Sequence, residues 1–180
     1  MPSSSWRPGG PRADVPSMLR VDQAGEYGAT RIYAGQLAIL GGRHPMARSI
    51  ARMAAQEDRH LAHFDAMLAE RGVRPTLLQP FWDIAGFALG AGTALLGPEA
   101  AMACTAAVET EIDKHYAEQL QQLGSDEPDL SATIEEFQAE ELEHRDEALA
   151  AGAENAIGYP ILSAFIRAGC RAAIALSKRI

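Results

Sequence analysis

A repeated arrangement of glutamate and histidine constrains the fold of this chain more than any other feature. In each half of the sequence, a single glutamate is followed 31 or 32 residues later by a Glu-x-x-His motif. The repeat consists of Glu26, Glu57, His60, Glu109, Glu141 and His144. One such motif arises easily by chance in a helical protein, but two motifs with matching partner glutamates predict that four helices converge on one site.

The remaining sequence is typical of an all-α protein. Alanine is abundant, runs of β-branched residues are absent, and no Asn-Gly or Asp-Gly pair marks a hairpin. With proline at helix starts and glycine at helix ends, the predicted helices are residues 16–40, 45–72, 98–123, 128–152 and 160 to the C-terminus. Residues 1–15, rich in proline, glycine and serine, are expected to form a disordered tail before a single domain over 16–180.

The glutamates of the repeat lie on apolar helix faces. Glu26 shares a face with Leu19 and Tyr33, and Glu57 shares one with Phe64, because these residues are two helical turns apart. Burying an ionised carboxylate costs several kcal/mol unless it is paired. The distances from the predicted turns also place all four glutamates at similar heights in two antiparallel helix pairs. The four carboxylates are therefore expected to surround cations.

Charge balance predicts what this cluster binds. Four carboxylates carry four negative charges and two neutral imidazoles add none, so two divalent cations balance the set. Mixed carboxylate and imidazole ligands favour iron or manganese over calcium or structural zinc. The two cysteines, Cys104 and Cys170, are too few for a cysteine-rich zinc site. Single glutamates from two helices and Glu-x-x-His motifs from two others form the di-iron arrangement of ferritin-like four-helix bundles.

Several polar residues near the repeat are not expected to bind the cations directly. Tyr116 lies two turns after Glu109 on the same face, so it either hydrogen-bonds near the metals, gates access to them or is a core aromatic residue. Asp22 lies one turn before Glu26 and is expected to orient a ligand histidine. Five further residues are expected to be solvated or satisfied polar residues rather than ligands: Glu140, Glu143, His44, His63 and His115.

An uncharged segment connects the second and third predicted helices. Residues 84–98 contain no charged side chain, but they are too few for a transmembrane helix, which needs about 20 apolar residues. A long crossover is expected here because these two helices run parallel in a ferritin-like bundle. Gly86 and Gly90, spaced by four residues, predict close packing of this segment against another helix.

The last predicted helix is apolar on one face and basic near its end. Ile161 and Phe165 lie on the apolar face, and Arg167 and Arg171 add positive charge. Such a helix is typical of association with a membrane surface. The alternative, that this helix and the uncharged segment simply pack on the bundle, is equally open. The formal net charge of −8 argues against nucleic acid as a partner.

Six segments between residue 19 and the C-terminus form a recognisable set: LRVDQAGEYGATRIYAGQ, QEDRHLAHF, WDIAGFALGAGTALLG, AAVETEIDKHYAEQL, EELEH and GCRAAIALSKRI. In order and spacing the set resembles the demethoxyubiquinone hydroxylases, which act late in ubiquinone biosynthesis. The resemblance implies a ferritin-like fold and two iron ions held by the six residues of the repeat. It also implies hydroxylation of a demethoxyubiquinol ring with O2, and peripheral association with the membrane that contains this polyprenyl quinol.

The residues alone leave other functions open. A different di-iron oxidase or peroxidase would use the same ligands on another substrate, and so would an iron-storage protein, although storage predicts a polar crossover. The sequence has no Cys-x-x-Cys pair or flavin motif, so electrons are expected from an external donor or from the quinol. A homo-oligomer or protein partners from ubiquinone biosynthesis are also expected. Without a recognisable transit segment, the expected location is the cytoplasmic face of a bacterial inner membrane.

Overall fold

The computed structural model describes residues 13–180, and no β-strand occurs within this range. Its helices are α1 (Val15–Leu40), α2 (Ala47–Arg71), α3 (Gln79–Leu96), α4 (Pro98–Leu123), α5 (Pro128–Ala150) and α6 (Tyr159–Ser177). The predicted all-α fold is confirmed, and the predicted helix boundaries agree within a few residues. Most of the predicted tail, residues 1–12, lies outside the described range. α1 begins at Val15 because the Asp14 side chain accepts a hydrogen bond from the Ser17 N–H.

Four of the helices form a bundle of two antiparallel hairpins, α1 with α2 and α4 with α5. α1 and α4 are antiparallel, because Gln119 donates to Asp22 near one end and Gln36 donates to the Ala101 carbonyl near the other. α2 and α4 are therefore parallel. As predicted, the chain crosses the length of the bundle between them.

Apolar side chains fill the bundle on both sides of a central polar layer. One buried cluster includes Tyr33, Met53 and Met102, and the other includes Phe64 and Leu130. Both clusters exclude water from the layer between them. Charged groups in that layer are therefore in a medium of low effective dielectric constant, where unbalanced charge is costly.

The crossover is the helix α3, which packs closely along α1. Two glycines on α3 allow this approach. A Cβ atom at Gly86 would lie 2.9 Å from the carbonyl oxygen of Gly28, and one at Gly90 would overlap the backbone of Ile32. The predicted role of Gly86 and Gly90 in close helix packing is confirmed.

α6 lies on α4, where an ion-pair cluster helps to hold it. The buried carboxylate of Glu111 on α4 lies 2.6 Å from Nε of Arg167 and 3.3 Å from Nη1 of Arg171. Ile166 is buried in the interface, but Phe165 is 75% exposed. Within residues 13–180, α6 is also the helix that is long and apolar enough to cross a membrane, by length and composition only. The helix thus packs on the bundle and still presents an apolar face to its surroundings.

α3 and α6 lie on the same side of the bundle, over α1 and α4. They meet where Nε1 of Trp82 donates to the hydroxyl of Ser177. The large apolar side chains that these two helices expose are Phe81, Ile84, Phe87, Leu95, Leu96, Ile161, Phe165 and Leu176. We refer to this set as the α3–α6 apolar surface.

Candidate metal centre

The polar layer of the bundle brings together the six side chains of the repeat. They are Glu26 on α1, Glu57 and His60 on α2, Glu109 on α4, and Glu141 and His144 on α5. Each of these residues is at most 3% exposed. Each glutamate lies at a similar distance from the turn of its helix pair, so the spacing in the sequence becomes a shared height in the bundle.

The ligand atoms form two groups, and within each group all of them lie within 4.8 Å of one another. Glu57 and Glu141 belong to both groups, so two cations bound here would share these carboxylates. We call the two groups the first and second cation positions, and Glu26 and His60 complete the first position. The second position is completed by the remaining glutamate and histidine of the repeat, from α4 and α5.

Several atoms that face the centre of this cluster are unsatisfied. Among the described residues, both carboxylate oxygens of Glu57, Oε1 of Glu141 and Nδ1 of His60 are buried without a hydrogen-bond partner. His60 Nδ1 lies 3.0 Å from Glu141 Oε1 and 3.4 Å from Glu26 Oε2. Leaving a buried polar group unpaired costs about 1–3 kcal/mol. The donors present, carboxylate oxygens and imidazole nitrogens turned toward one another, fit a pair of divalent cations.

The raised pKa values of three of the four glutamates reflect the same lack of positive charge. Burial raises the pKa of Glu57 well above its usual range, and neighbouring carboxylates raise it further. Burial also raises the pKa of Glu109 and Glu26. Burial lowers the pKa of His60, but the facing carboxylates of Glu141 and Glu26 outweigh this effect and raise it to about 10. Protons therefore compete with metal ions for these side chains.

Two tyrosines cross between α1 and α4 to reach the cluster. Tyr116 on α4 donates a hydrogen bond to Oε1 of Glu26, and Tyr33 on α1 lies 3.0 Å from Oε1 of Glu109 and donates to it. Tyr116 is thus both a hydrogen-bond donor to this cluster and a buried core aromatic residue, two of the roles considered for it. Tyr33 was not singled out from the sequence, although it follows Glu26 by the same two turns that separate Tyr116 from Glu109.

In each histidine of the repeat, Nε2 points away from the cluster and contacts a side chain on the helix that carries the other Glu-x-x-His motif. Nε2 of His60 lies 2.6 Å from Oε2 of Glu140, and Nε2 of His144 lies 3.0 Å from Oε1 of Gln56. The expectation that Glu140 is solvated is therefore wrong, because its carboxylate is turned inward against His60. The sequence contains one signal for this pairing, because Gln56 and Glu140 occupy the same place in the repeat, directly before the motif glutamates.

Asp22 does not orient a ligand histidine, which corrects a second expectation. Its Oδ1 atom lies 3.3 Å from Nε2 of His115 and accepts a hydrogen bond from Gln119 at 2.7 Å. As expected, His115 is a satisfied polar residue and belongs to neither ligand group. Burial raises the pKa of Asp22 above its usual value, against the opposing effects of His115 and Gln119.

An apolar cavity of about 240 Å³ meets this cluster of carboxylates and imidazoles from the side of α3 and α6. Glu26 and Tyr116 lie in its wall at the cluster. Leu89 on α3 and Phe165 and Ile174 on α6 are among the apolar residues that line it. The first position, which includes Glu26, is therefore the position beside the cavity.

The sequence matches the family model described as "Ubiquinone biosynthesis protein COQ7" over residues 13–177. It is 56% identical over 170 residues to the 3-demethoxyubiquinol 3-hydroxylase of Rhodospirillum rubrum, covering 94% of this chain and 80% of that relative. It is 51% identical over 173 residues to the human NADPH-dependent 3-demethoxyubiquinone 3-hydroxylase, mitochondrial, covering 94% and 79%. It is 42% identical over 179 residues to the 5-demethoxyubiquinone hydroxylase, mitochondrial, of Saccharomyces cerevisiae, covering 91% and 77%.

The matched range contains the four bundle helices, all six residues of the repeat and the helices that enclose the cavity. The likeness therefore extends to the whole arrangement of helices and polar residues rather than to one motif. On this evidence the chain belongs to the family of the ubiquinone biosynthesis protein COQ7.

Proposed function

We propose that this protein hydroxylates the ring of a demethoxyubiquinol with O2, using two iron ions held by the six residues of the repeat. The observation that carries this proposal is the contact between the apolar cavity and the metal cluster at Glu26 and Tyr116. A ring in the cavity would lie against the first position. The names of the relatives describe hydroxylation of demethoxyubiquinol or demethoxyubiquinone, which agrees with this arrangement.

The size of the cavity suits the ring of such a substrate and not its tail. An apolar cavity of roughly 150 Å³ holds benzene, so about 240 Å³ has room for one substituted ring. A polyprenyl tail must then leave the cavity. Trp82 and Leu89 on α3 line one side and Phe165 on α6 lines the other, so the tail would leave between these two helices.

The proposed ligands are Glu26 and His60 for the first iron ion, Glu109 and His144 for the second, and Glu57 and Glu141 for both. When bound, the iron ions supply the reducing centre at which O2 is activated. Manganese would accept the same donor atoms, so the choice of iron follows from the family and from the oxygen chemistry.

The residues of the chain hold protons and exclude water around the reacting ring. The hydroxyl of Tyr116 donates a hydrogen bond to Glu26, and burial holds the pKa of Tyr116 well above its usual value. The hydroxyl therefore stays protonated and holds the carboxylate in one orientation. The apolar lining from α3 and α6 keeps bulk water away from the site, which strengthens every electrostatic interaction in it.

The reaction has a fixed balance of atoms and electrons. One oxygen atom of O2 enters a ring C–H bond and the other leaves as water, so two electrons and two protons are consumed. The names of the mammalian relatives include the term "NADPH-dependent". For this chain we propose that a reduced nicotinamide or the quinol itself supplies the two electrons.

The protein would take its substrate from a membrane through the α3–α6 apolar surface. This surface borders the cavity, and Leu96 and Phe165 in it are 72% and 75% exposed. Large exposed apolar patches on protein surfaces mark interaction sites. We propose peripheral association with the cytoplasmic face of a bacterial inner membrane, with the mouth of the cavity toward the lipid.

The test is a single-turnover reaction with product mass analysis. The protein is loaded anaerobically with Fe(II), and ¹⁸O₂ and demethoxyubiquinol are then added with and without NADPH. The expected product is heavier than the substrate by one ¹⁸O atom. His144→Ala should abolish the product, and Glu143→Gln, an exposed residue on the same helix, should not. Oxidation of Fe(II) without hydroxylation would instead favour an iron-storage function or oxidation of another substrate.

A further inference from the structure

The two histidines of the metal centre differ in the residue that holds their outer nitrogen. His60 contacts a carboxylate, Glu140, at 2.6 Å, whereas His144 contacts a side-chain amide, Gln56, at 3.0 Å. Each partner precedes the motif glutamate on the opposite helix, so the two contacts correspond to each other in position. They differ in charge and in length.

These contacts leave Nδ1 of each ring facing the acidic cluster. His60 Nδ1 is 3.0 Å from Glu141 Oε1, and His144 Nδ1 is 3.1 Å from Glu57 Oε1. When Nε2 carries the hydrogen toward an oxygen acceptor, Nδ1 presents a lone pair to a cation. A charged acceptor makes a shorter and stronger hydrogen bond than a neutral one. It also makes the opposite nitrogen a better metal ligand.

An arginine on α2 accompanies each outer partner, and each arginine is paired with a carboxylate, Arg59 with Glu140 itself and Arg52 with Glu147. Nη2 of Arg59 donates to both carboxylate oxygens of Glu140, at 3.1 and 3.0 Å, and Nη1 of Arg52 donates to Oε1 of Gln56 at 3.4 Å. The side chains of Arg59 and Arg52 are 56% and 53% exposed, so solvent screens both charges. The exposed Arg59 therefore leaves Glu140 a charged acceptor for His60, whereas the acceptor for His144, Gln56, is neutral.

We infer that Glu140 and Gln56 are positioning residues that make the two metal positions unequal. The first position, which contains His60 and lies beside the cavity, binds a divalent cation more tightly than the second. This inference rests on the metal centre of the proposed function. It does not depend on the identity of the organic substrate.

Binding of Mn(II) to the full chain tests the inference, with free Mn(II) measured by electron paramagnetic resonance. The wild-type protein should bind two ions in two steps of unequal affinity. Glu140→Gln should weaken the tighter step by about 10- to 100-fold, the usual effect of losing an outer partner of a ligand histidine. Gln56→Glu should instead tighten the weaker step. Glu143→Gln removes the same charge from an exposed site on α5 and should change neither step.

Two background variants assign each step to a position. Glu109→Gln impairs the second position, and in that background Glu140→Gln should weaken the remaining site while Gln56→Glu leaves it unchanged. Glu26→Gln impairs the first position, and the two substitutions should then exchange their effects. Circular dichroism of each variant separates loss of binding from loss of folding.

The outcomes distinguish this inference from the proposed function. Two equal steps in the wild-type protein, or affinities that do not respond to Glu140→Gln and Gln56→Glu, would overturn the inference and leave the metal centre in place. A wild-type protein that binds no Mn(II) would instead contradict the metal centre itself. If Glu140→Gln does not fold, the gain of affinity expected for Gln56→Glu still decides the matter.

Discussion

The hydroxyl of Tyr33 on α1 donates a hydrogen bond to Oε1 of Glu109 on α4 at 3.0 Å. The reverse contact, from Tyr116 on α4 to Glu26 on α1, repeats this relationship across the bundle. Each tyrosine therefore holds the glutamate that belongs to the other half of the repeat. The surroundings of the two tyrosines differ. Tyr116 lines the apolar cavity beside Glu26, whereas Tyr33 is not in the wall of this cavity.

This difference predicts unequal effects of removing the two hydroxyl groups. Tyr33→Phe and Tyr116→Phe should each lower the free energy of unfolding of the metal-free protein by about 1–3 kcal/mol, because each leaves a buried carboxylate short of a donor. Tyr116→Phe should also lower the rate of hydroxylation by about tenfold or more, since it lies where the substrate ring would bind. Chemical denaturation and product analysis of the two variants side by side measure both effects. Equal losses of activity would contradict a special role for Tyr116.

Removing the carboxylate of Glu57 should raise the stability of the metal-free protein and lower the stability of the metal-bound protein. Burial and neighbouring carboxylates raise the pKa of Glu57 above its ordinary value of 4.5. Because this pKa is raised in the folded state, the contribution of Glu57 to stability is fully present below pH 4.5. That contribution is lost as the pH rises through the pKa of the folded state. At pH 7 and without metal, Glu57→Gln should therefore be more stable than the wild-type protein, by about 1–3 kcal/mol.

The comparison is made by thermal unfolding from pH 4.5 to pH 8, with a chelator and with Mn(II). The metal-free wild-type protein should lose stability toward high pH more steeply than the Glu57→Gln variant. With Mn(II) the order should reverse, because the variant lacks a ligand shared by both positions. A metal-free variant less stable than the wild-type protein at pH 7 would show that Glu57 is stabilised in some other way.

The bundle, and the convergence of the six side chains of the repeat on one layer of it, could be predicted because both follow from spacing. A glutamate on an apolar stripe, such as Glu26, is improbable unless something balances its charge, and the turn positions give the height of each side chain. Contacts between helices that are distant in the sequence could not be predicted in the same way. Glu140 was expected to face solvent because its neighbour Glu141 occupies the buried stripe, but its side chain is long enough to reach His60 from the edge of that stripe. The pairing of Asp22 with His115 depends on how α1 sits against α4, which no local pattern specifies.

The close contact between α3 and α1 predicts a large difference between two glycines of the same helix. A Cβ atom at Gly90 would overlap the Ile32 carbonyl, whereas one at Gly92 would meet no atom within 4 Å. Gly90→Ala should lower the free energy of unfolding by about 1–3 kcal/mol, because α3 must move away from α1. Gly92→Ala should be neutral or raise it by about 0.5–1 kcal/mol, as expected for alanine in a helix interior. Urea denaturation measures both, and similar values for the two variants would contradict the packing of α3.

The α3–α6 apolar surface predicts how the protein binds lipid. Arg167 and Arg171 share the single carboxylate of Glu111 with Lys114, so one negative charge faces three positive charges. Binding to phosphatidylcholine vesicles should therefore be strengthened by phosphatidylglycerol, although it should not require it. It should depend mainly on apolar side chains such as Leu96 and Phe165, each of which contributes about 1.5–3 kcal/mol when it leaves water.

Vesicle flotation with the Leu96→Ser and Phe165→Ser double variant tests this dependence. The bound fraction should correspond to a partition coefficient reduced by about tenfold or more, because two apolar side chains no longer enter the lipid. Leu61→Ser changes a half-buried leucine on α2, a helix that contacts neither α3 nor α6 to any extent, and should leave binding unchanged. Equal losses in both variants would place the lipid contact elsewhere on the protein. An absolute requirement for phosphatidylglycerol would mean that these positive charges, rather than the apolar side chains, determine the binding.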